Sequence, residues 1–385
     1  MRGFLVIAMA LLAGGCSIFG DDDEPIEPPA ELQKFDATHQ VGRAWRKGLG
    51  GGTESLLLGL RPAVAGGRLY AGTPEGRVWA ADAFKGDTVW ESKTELALSA
   101  GPGVGEGLVV FGTSGGTVIA LDAADGSERW TVTLAGEIVS APTPARDLVI
   151  VRAVDGRVRA LDAADGRERW FIERPVPRLT LRGNSVPAVS GDTVVIGFDD
   201  GRVGAYDRRT GDPLWENLVA SGRGANQLER LADVDASPVI VGQDLYVASV
   251  HGRVAGMALE SGQFLWASEI SSFRDIAVDW TSVYVTDENS EIAAFNRSSG
   301  AELWRQDALR ARSVTGPAVF GNSLVVGDFE GYLHFLDPLT GAFQARTKTG
   351  GAAIVNPPVV AGDLVYVQTE DNDILAYAIR PRGGD

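Results

Sequence analysis

Few residues of this 385-residue chain could carry out metal or nucleophilic chemistry. Cys16 is the single cysteine, which excludes an internal disulfide and a cysteine-based metal cluster. The three histidines, His39, His251 and His334, are far apart, and the last two lie near predicted turns, where a structural role is favoured. The sequence also lacks the motifs of serine hydrolases, zinc proteases and phosphate-binding loops. It therefore predicts no catalytic residue, no metal site and no cofactor.

The best candidates for acid–base chemistry are the two carboxylates of Asp233 and Asp235. They are two positions apart in a connecting segment, and the sequence identifies no third group to work with them. Asp371 and Asp373 fall in a predicted turn and are interpreted as structural. Catalysis is therefore the less favoured explanation of these residues.

The first fifteen residues are predicted to be a signal peptide. Arg2 supplies a positive charge, and residues 4–12 form an apolar run that is too short to span a membrane stably. The run LLAGGC, which ends at Cys16, resembles the bacterial lipobox, although Ala13 stands where that motif usually has leucine. The resemblance implies a lipidated Cys16 at the mature N-terminus, and Ser17 implies export to the outer membrane. The alternative is an ordinary secretory signal that is cleaved near this point.

Residues 16–40 are predicted to be the lipidated cysteine and a flexible tether. The acidic run 21–24 and the prolines at positions 25, 28 and 29 have little apolar surface to bury and resist helix formation. A metal site in the acidic run is the alternative, and a solvated linker is favoured.

The rest of the chain contains a repeat of about 40 residues. One copy, GTVIALDAADGSERW, ends at Trp130, and tryptophan recurs at the same place in the other copies at intervals of 38 to 51 residues. The tryptophans in this position are Trp45, Trp90, Trp130, Trp170, Trp215, Trp266 and Trp304. The upstream half of each copy, such as residues 185–201, contains two more short strands around a tight turn. Four-stranded units of this length predict a β-propeller, with the tryptophans packed between blades.

The two ends of the repeat array predict how the ring closes. Seven complete units are followed by a C-terminal half, residues 356–378, that lacks its outer strand. Residues 41–49 supply a tryptophan-bearing outer strand without the other three. We therefore predict an all-β, eight-bladed propeller of four-stranded blades over residues 41–380. The N-terminal outer strand joins the C-terminal blade, and residues 381–385 form a tail.

The repeat, Ala-x-Asp-x-x-x-Gly-x-x-x-Trp, resembles the tryptophan-docking motif of dehydrogenases that use pyrroloquinoline quinone. That resemblance implies architecture, since a fold does not carry function with it. Such enzymes often have a vicinal cysteine pair at the cofactor, which a chain with one cysteine cannot form, and they are much longer. A quinone-dependent periplasmic enzyme remains the alternative function.

Two connections between units are longer than the others. One lies between Trp170 and position 187, and the other lies between Trp215 and position 238. Connections of this kind emerge on one face of a propeller, so we expect these two to be neighbours. The candidate partner-binding residues in them are Leu179, Leu181, Arg182, Asp233 and Asp235. In the alternative, the leucines fold inward and Arg182 pairs with one of the aspartates.

The segments LTLRGNSVP, QLERLADVDASPV and SLVVGDFEGYLHFLD, together with the lipobox and the eight repeats, resemble the propeller lipoproteins of the outer-membrane β-barrel assembly machinery. The resemblance implies a non-catalytic, lipid-anchored scaffold at the outer membrane, facing the periplasm. It implies that the five residues above contact the polypeptide-transport-associated (POTRA) repeats of the central subunit, BamA. Nascent outer-membrane proteins are a second implied partner. A scaffold of the envelope with other partners remains open, whereas the net charge of −16 argues against nucleic acid.

Overall fold

A computed structural model describes residues 27–51, 59–177, 179–181, 185–221 and 232–383. The secondary structure of this part of the chain consists of strands and turns. No helix in it has the length and apolar character needed to cross a membrane.

The described residues form thirty-three strands, most of them three to six residues long. Their bounds are β1 (His39–Gly48), β2 (Gly59–Leu60), β3 (Ala63–Ala65), β4 (Arg68–Gly72), β5 (Arg77–Asp82), β6 (Thr88–Lys93), β7 (Leu98–Gly105), β8 (Leu108–Thr113), β9 (Thr117–Asp122), β10 (Glu128–Thr133), β11 (Thr143–Ala145), β12 (Leu148–Arg152), β13 (Arg157–Asp162), β14 (Glu168–Glu173), β15 (Ala188–Ser190), β16 (Thr193–Gly197), β17 (Arg202–Asp207), β18 (Pro213–Leu218), β19 (Val239–Val241), β20 (Asp244–Ala248), β21 (Arg253–Ala258), β22 (Phe264–Glu269), β23 (Ala277–Val278), β24 (Ser282–Thr286), β25 (Ile292–Asn296), β26 (Glu302–Gln306), β27 (Ala318–Phe320), β28 (Ser323–Gly327), β29 (Tyr332–Leu336), β30 (Phe343–Lys348), β31 (Val359–Ala361), β32 (Leu364–Gln368) and β33 (Asp373–Pro381).

These strands form eight antiparallel blades in a ring, which confirms the predicted fold class. Blade 1 is β3–β6, blades 2 to 7 follow in order as β7–β10, β11–β14, β15–β18, β19–β22, β23–β26 and β27–β30, and blade 8 is β31–β33 with β1. We call the strands of a blade A to D from the innermost to the outermost. Turns between A and B and between C and D lie on the lower face. Turns between B and C, and the connections from D to the next A, lie on the upper face.

Blade 8 closes the ring with strands from both ends of the chain, as predicted. Strand β1 pairs antiparallel with β33, and Val41 lies opposite Ile379 and Trp45 opposite Ala376. Closing the ring in this way pairs an outer strand that would otherwise have no blade.

The blades are joined by the predicted tryptophans. Each indole Nε1–H donates to a backbone carbonyl of the C–D turn in the next blade, over 2.8 to 3.1 Å. The donor and acceptor pairs are Trp45–Ala83, Trp90–Ala123, Trp130–Ala163, Trp170–Arg208, Trp215–Leu259, Trp266–Arg297 and Trp304–Pro338. A buried indole with a satisfied N–H seals the joint without leaving a polar group unpaired.

The glycine of each C–D turn has two reasons to lack a side chain. Gly126 has a φ of 75°, which favours glycine over residues with a Cβ. It also faces the Trp90 ring so closely that a Cβ would lie 2.5 Å from a ring carbon. The Asp122 carboxylate accepts from the Ala124 N–H at 2.8 Å and fixes the same turn.

The joint between blades 7 and 8 is different, because Ala345 occupies the tryptophan position. Blade 8 has no C–D turn to receive an indole, since its strands C and D are the two ends of the fold. The segment 27–38, which we call the N-terminal strap, lies against blade 7 instead. Its Ala30 N–H donates to the Arg310 carbonyl and its Thr38 N–H to the Gln344 carbonyl, both at 3.0 Å. The residues expected to form the end of the tether therefore contact the propeller.

Aromatic and cationic side chains hold the strap in place. The rings of Phe35 and Phe343 stack with centroids 5.3 Å apart, and the Arg346 guanidinium lies 5.1 Å from the centre of each. Arg346 Nη1 donates to the Gln33 carbonyl, and Arg346 Nε donates to Nδ1 of the buried His334. A planar guanidinium can stack and donate in this way at once.

His334 is the centre of a buried polar network. Its Nε2 lies 3.0 Å from Asp328 Oδ2, and the same oxygen accepts from Arg312 Nε at 2.9 Å. Because an arginine can only donate, His334 Nδ1 accepts and the ring is neutral. Burial lowers the pKa of His334 further. The predicted structural role of this histidine agrees with these contacts.

Part of the chain enters the central channel. Strand β2 adds to the inner edge of blade 2 as a fifth strand, parallel to β7. The next residue, Arg61, donates from Nη1 to Asp275 Oδ2 of blade 6 at 2.8 Å. Arg61 lies between β2 and the first strand of blade 1, and Asp275 precedes the first strand of blade 6, three blades away around the ring, so this ion pair spans the channel.

Candidate functional site

The two enlarged connections are neighbours on the upper face, as expected from their spacing. One runs from the end of β14 to the start of β15, and the other from the end of β18 to the start of β19. The second is joined to the B–C turn of blade 4, because Val219 donates to the Gly201 carbonyl at 2.8 Å and Val234 donates to the Phe198 carbonyl at 3.1 Å. It is also joined to the B–C turn of blade 5, because the Val250 N–H donates to the Asp233 carbonyl at 3.0 Å, so its position depends on two regular blades.

Three hydrogen bonds join the two connections to each other. Asp233 Oδ2 accepts from the Leu181 N–H at 2.7 Å. Ser237 Oγ accepts from the Val186 N–H at 3.0 Å. Ser185 Oγ donates to the Ala236 carbonyl at 3.3 Å. The described parts of the two loops thus form one continuous surface.

The two candidate leucines are exposed on this surface. Leu179 retains 38% of its accessible area and Leu181 retains 44%. The alternative in which they fold inward therefore does not describe them. An exposed pair of aliphatic side chains on a fixed loop is typical of a contact surface.

The two candidate aspartates are buried beneath the leucines. Asp233 is 1% exposed and Asp235 is 2% exposed. Burial raises the pKa of Asp233 to about 6, against the hydrogen bond from Leu181, which lowers it. Burial and the nearby Asp233 raise the pKa of Asp235 to about 8. Neither side chain is placed to meet a partner directly, and Asp233 holds the backbone of the first connection through the Leu181 N–H.

The structure adds two residues that sequence analysis did not select. Asp199, in the B–C turn of blade 4, lies beside both aspartates. Arg152, at the end of β12, forms an ion pair with Asp199. The sequence FDDG at residues 198–201 differs little from the other turns, so only the folded ring shows that this turn meets the second connection.

Two of the predicted site residues lie outside the described residues. They are Arg182, in the first enlarged connection, and Cys16, the predicted lipidation site. Leu179, Leu181, Asp233 and Asp235 are therefore the residues that the structure brings together.

A tryptophan-docked, eight-bladed propeller with a loop surface on one face defines a class of ring-shaped scaffolds that includes binding proteins and enzymes. The sequence profile of the family described as "Outer membrane protein assembly factor BamB" matches residues 75–305 and 288–381. The chain belongs to this family, which confirms the expected resemblance.

Individual relatives agree over nearly the whole chain. The outer membrane protein assembly factor BamB of Pseudomonas aeruginosa is 42% identical over 97% of this chain and 98% of that protein. The crystal structure of BamB from Moraxella catarrhalis has a TM-score of 0.81 at 29% identity, covering 88% of this chain and all of that one.

The enzyme alternative is supported at the level of the fold alone. Quinohemoprotein alcohol dehydrogenase from Comamonas testosteroni has a TM-score of 0.68 at 15% identity, covering 88% of this chain and 76% of that chain. Membership of a family of assembly factors therefore confirms that the chain is not an enzyme.

Proposed function

We propose that this chain is a lipid-anchored scaffold for outer-membrane protein assembly, which docks on the POTRA repeats of BamA through Leu179, Leu181 and Arg182. The single observation that carries the proposal is the exposure of two leucines on a loop held by the buried carboxylate of Asp233. The relatives are named as outer membrane protein assembly factors, and this is the process in which we propose that the scaffold takes part. The anchor would be the lipidated Cys16, which holds the propeller at the outer membrane on the periplasmic side.

The burial of the side chains indicates which of them contact the partner and which support the surface from below. Leu179 and Leu181 supply apolar area to the partner, and Arg182 supplies charge complementarity. Asp233 is buried and acts through its hydrogen bond from the Leu181 N–H, and Asp235 is buried beside it. Asp233 therefore takes a positioning role, in place of the direct partner contact that the resemblance implies for both aspartates.

The test is co-purification of BamA from membranes in mild detergent with wild type, Leu181→Ala and Leu339→Ala. Leu339 is a matched control, because it is an exposed leucine in the C–D turn of blade 7, on the face opposite the loops. We expect Leu181→Ala to lose at least tenfold in affinity, as truncation of a hot-spot residue does, while Leu339→Ala matches wild type. Equal recovery of BamA with all three proteins would refute the site.

Nascent outer-membrane proteins are a second proposed ligand. Leu214, Leu265 and Leu303 each precede a docked tryptophan on the outer strand of successive blades, and each is about half exposed. These outer strands lie at the edges of their sheets and could accept a further strand. A photocrosslinker at position 265 should capture an unfolded barrel protein more often than one at Leu339 on the lower face. Equal capture at the two positions would exclude the outer strands as the binding surface.

A further inference from the structure

Three carboxylates converge on the upper face of blade 4, at Asp199, Asp233 and Asp235. One oxygen from each lies within 4.8 Å of the other two. Both carboxylate oxygens of Asp235 and Oδ1 of Asp233 have no hydrogen-bond partner among the described residues. A buried carboxylate without a partner is costly, so this arrangement requires a compensating positive charge or proton.

The charges of the described residues around the cluster do not balance. Arg152 is the cation paired with Asp199, and it also favours the charged form of Asp233 and Asp235. Three ionised aspartates and Arg152 leave two negative charges in excess within the part of the chain that the structure describes. One divalent cation would neutralise them.

We infer that Asp199, Asp233 and Asp235 form a binding site for one calcium-type divalent cation. Calcium takes oxygen ligands at about 2.3–2.6 Å, so two ligands on opposite sides of it lie up to about 5 Å apart, which fits the observed separations. Magnesium requires shorter and more regular octahedral geometry and should bind more weakly.

The geometry also indicates how a cation would reach the site and which loop its binding would stabilise. Asp199 is the partly exposed member, so it forms the solvent-facing side of the cluster. Asp233 uses Oδ2 to hold the Leu181 N–H and leaves Oδ1 for the cation. Binding would therefore fix the carboxylate that positions the leucine loop, although cation binding does not depend on the docking proposal.

The experiment is calcium titration of the metal-stripped, full-length protein at pH 8 by isothermal calorimetry, with thermal unfolding in parallel. We expect one site, with a dissociation constant of about 1 mM or below, in the range of extracellular calcium modules. Calcium at 100 times that value should raise Tm by about 3 °C, and magnesium should raise it less.

Variants separate this site from general acidity. Asp235→Asn and Asp199→Asn should each weaken calcium binding at least tenfold, and Asp371→Asn, an exposed acid in the corresponding turn of blade 8, should leave it unchanged. Both Asn variants keep the shape of the side chain, so we expect both to fold. A near-ultraviolet circular dichroism spectrum equal to that of wild type checks this. The inference is overturned if calcium at about 10 mM produces no binding heat and no Tm shift, or if Asp235→Asn binds like wild type. Wild-type protein that binds calcium but does not recover BamA would refute the proposed function and leave the cation site standing.

Discussion

Asp233 and Leu181 are 52 positions apart, and a 2.7 Å hydrogen bond from the Leu181 N–H to Asp233 Oδ2 joins them. A residue that is 1% exposed thereby controls the backbone of one that is 44% exposed. The candidate contact surface is therefore built in two layers, with carboxylates below and leucines above.

The first prediction concerns the lower layer. Asp233→Ala should weaken BamA docking about tenfold, because the Leu181 N–H loses its acceptor and the leucine loop loses its fixed position, at a cost of about 1–3 kcal/mol. Asp233→Asn retains a side-chain oxygen and should recover most of the affinity. The measurement is the dissociation constant for purified POTRA repeats. If Ala and Asn weaken binding equally, the negative charge matters and the hydrogen bond does not.

The second prediction concerns the tryptophan joints. Gly126→Ala and Gly107→Ala place a Cβ at nearly the same backbone conformation, with φ of 75° and 77°. Only the Gly126 Cβ meets the Trp90 ring, at 2.5 Å, whereas nothing lies within 4 Å of the Gly107 Cβ. We expect Gly126→Ala to destabilise the protein by about 1–3 kcal/mol more than Gly107→Ala, as overpacking does. Urea unfolding of the two variants measures this difference, and equal free energies of unfolding would show that the backbone conformation alone requires glycine.

The third prediction concerns pH. The fold lowers the pKa of His334 below its ordinary 6.5, so the unfolded chain binds a proton first. The contribution of His334 to the free energy of unfolding should therefore fall as the pH drops below about 6.5 and level off once the folded pKa is passed. His334→Gln removes this contribution and should cost about 1 kcal/mol at pH 7.5, where wild type keeps its hydrogen bonds.

Asp328 acts in a separate window. Burial alone would raise its pKa, but hydrogen bonds from His334 and Arg312 lower it below 3.8, so its contribution is lost only in stronger acid. Asp233 and Asp235, with pKa values raised to about 6 and 8, also titrate between pH 5 and 7.5, so the histidine is isolated by the difference between the free energies of unfolding of wild type and His334→Gln over this range. A wild-type slope that persists in His334→Gln would assign the acid sensitivity to another group.

The fourth prediction concerns the N-terminal strap. Phe35→Ala removes the ring that stacks on Phe343 and contacts Arg346. We expect limited proteolysis to cut the strap severalfold faster while the propeller resists digestion, because the ring closes through β1 and β33. Phe84→Ala, which alters an exposed ring in the C–D turn of blade 1, is the control. The result that would count against this assignment is digestion of the whole propeller at the faster rate.

The sequence could predict the parts of the fold that repeat. The spacing of Trp90, Trp130 and Trp170, with their C–D turns, is local and recurs in each blade, so it predicts both the strands and the joints. The closure of blade 8 could be predicted for the same reason, because each end of the repeat array carries a recognisable part of one unit.

The sequence could not predict contacts between segments that do not repeat. Asp199 joins Asp233 and Asp235 only because the ring brings a turn and a long connection together. The sequence also could not predict that the two aspartates are buried. Acidic residues in the same pair of loops as candidate contact leucines are expected to be exposed with them. The strap was missed because prolines and acids at its start resemble a linker, while its anchors, Arg312 and Arg346, lie about 280 and 310 positions away.

The strap changes how the molecule bears mechanical load. A pull on the N-terminal end first meets the contacts of residues 27–38 with blade 7, before any force reaches β1. These contacts can yield one after another, as in peeling, while the β1–β33 ladder stays paired. The strap thus protects the closing strand β1 from force. Tension on the N-terminal end breaks the contacts of the strap first and leaves the ring closed.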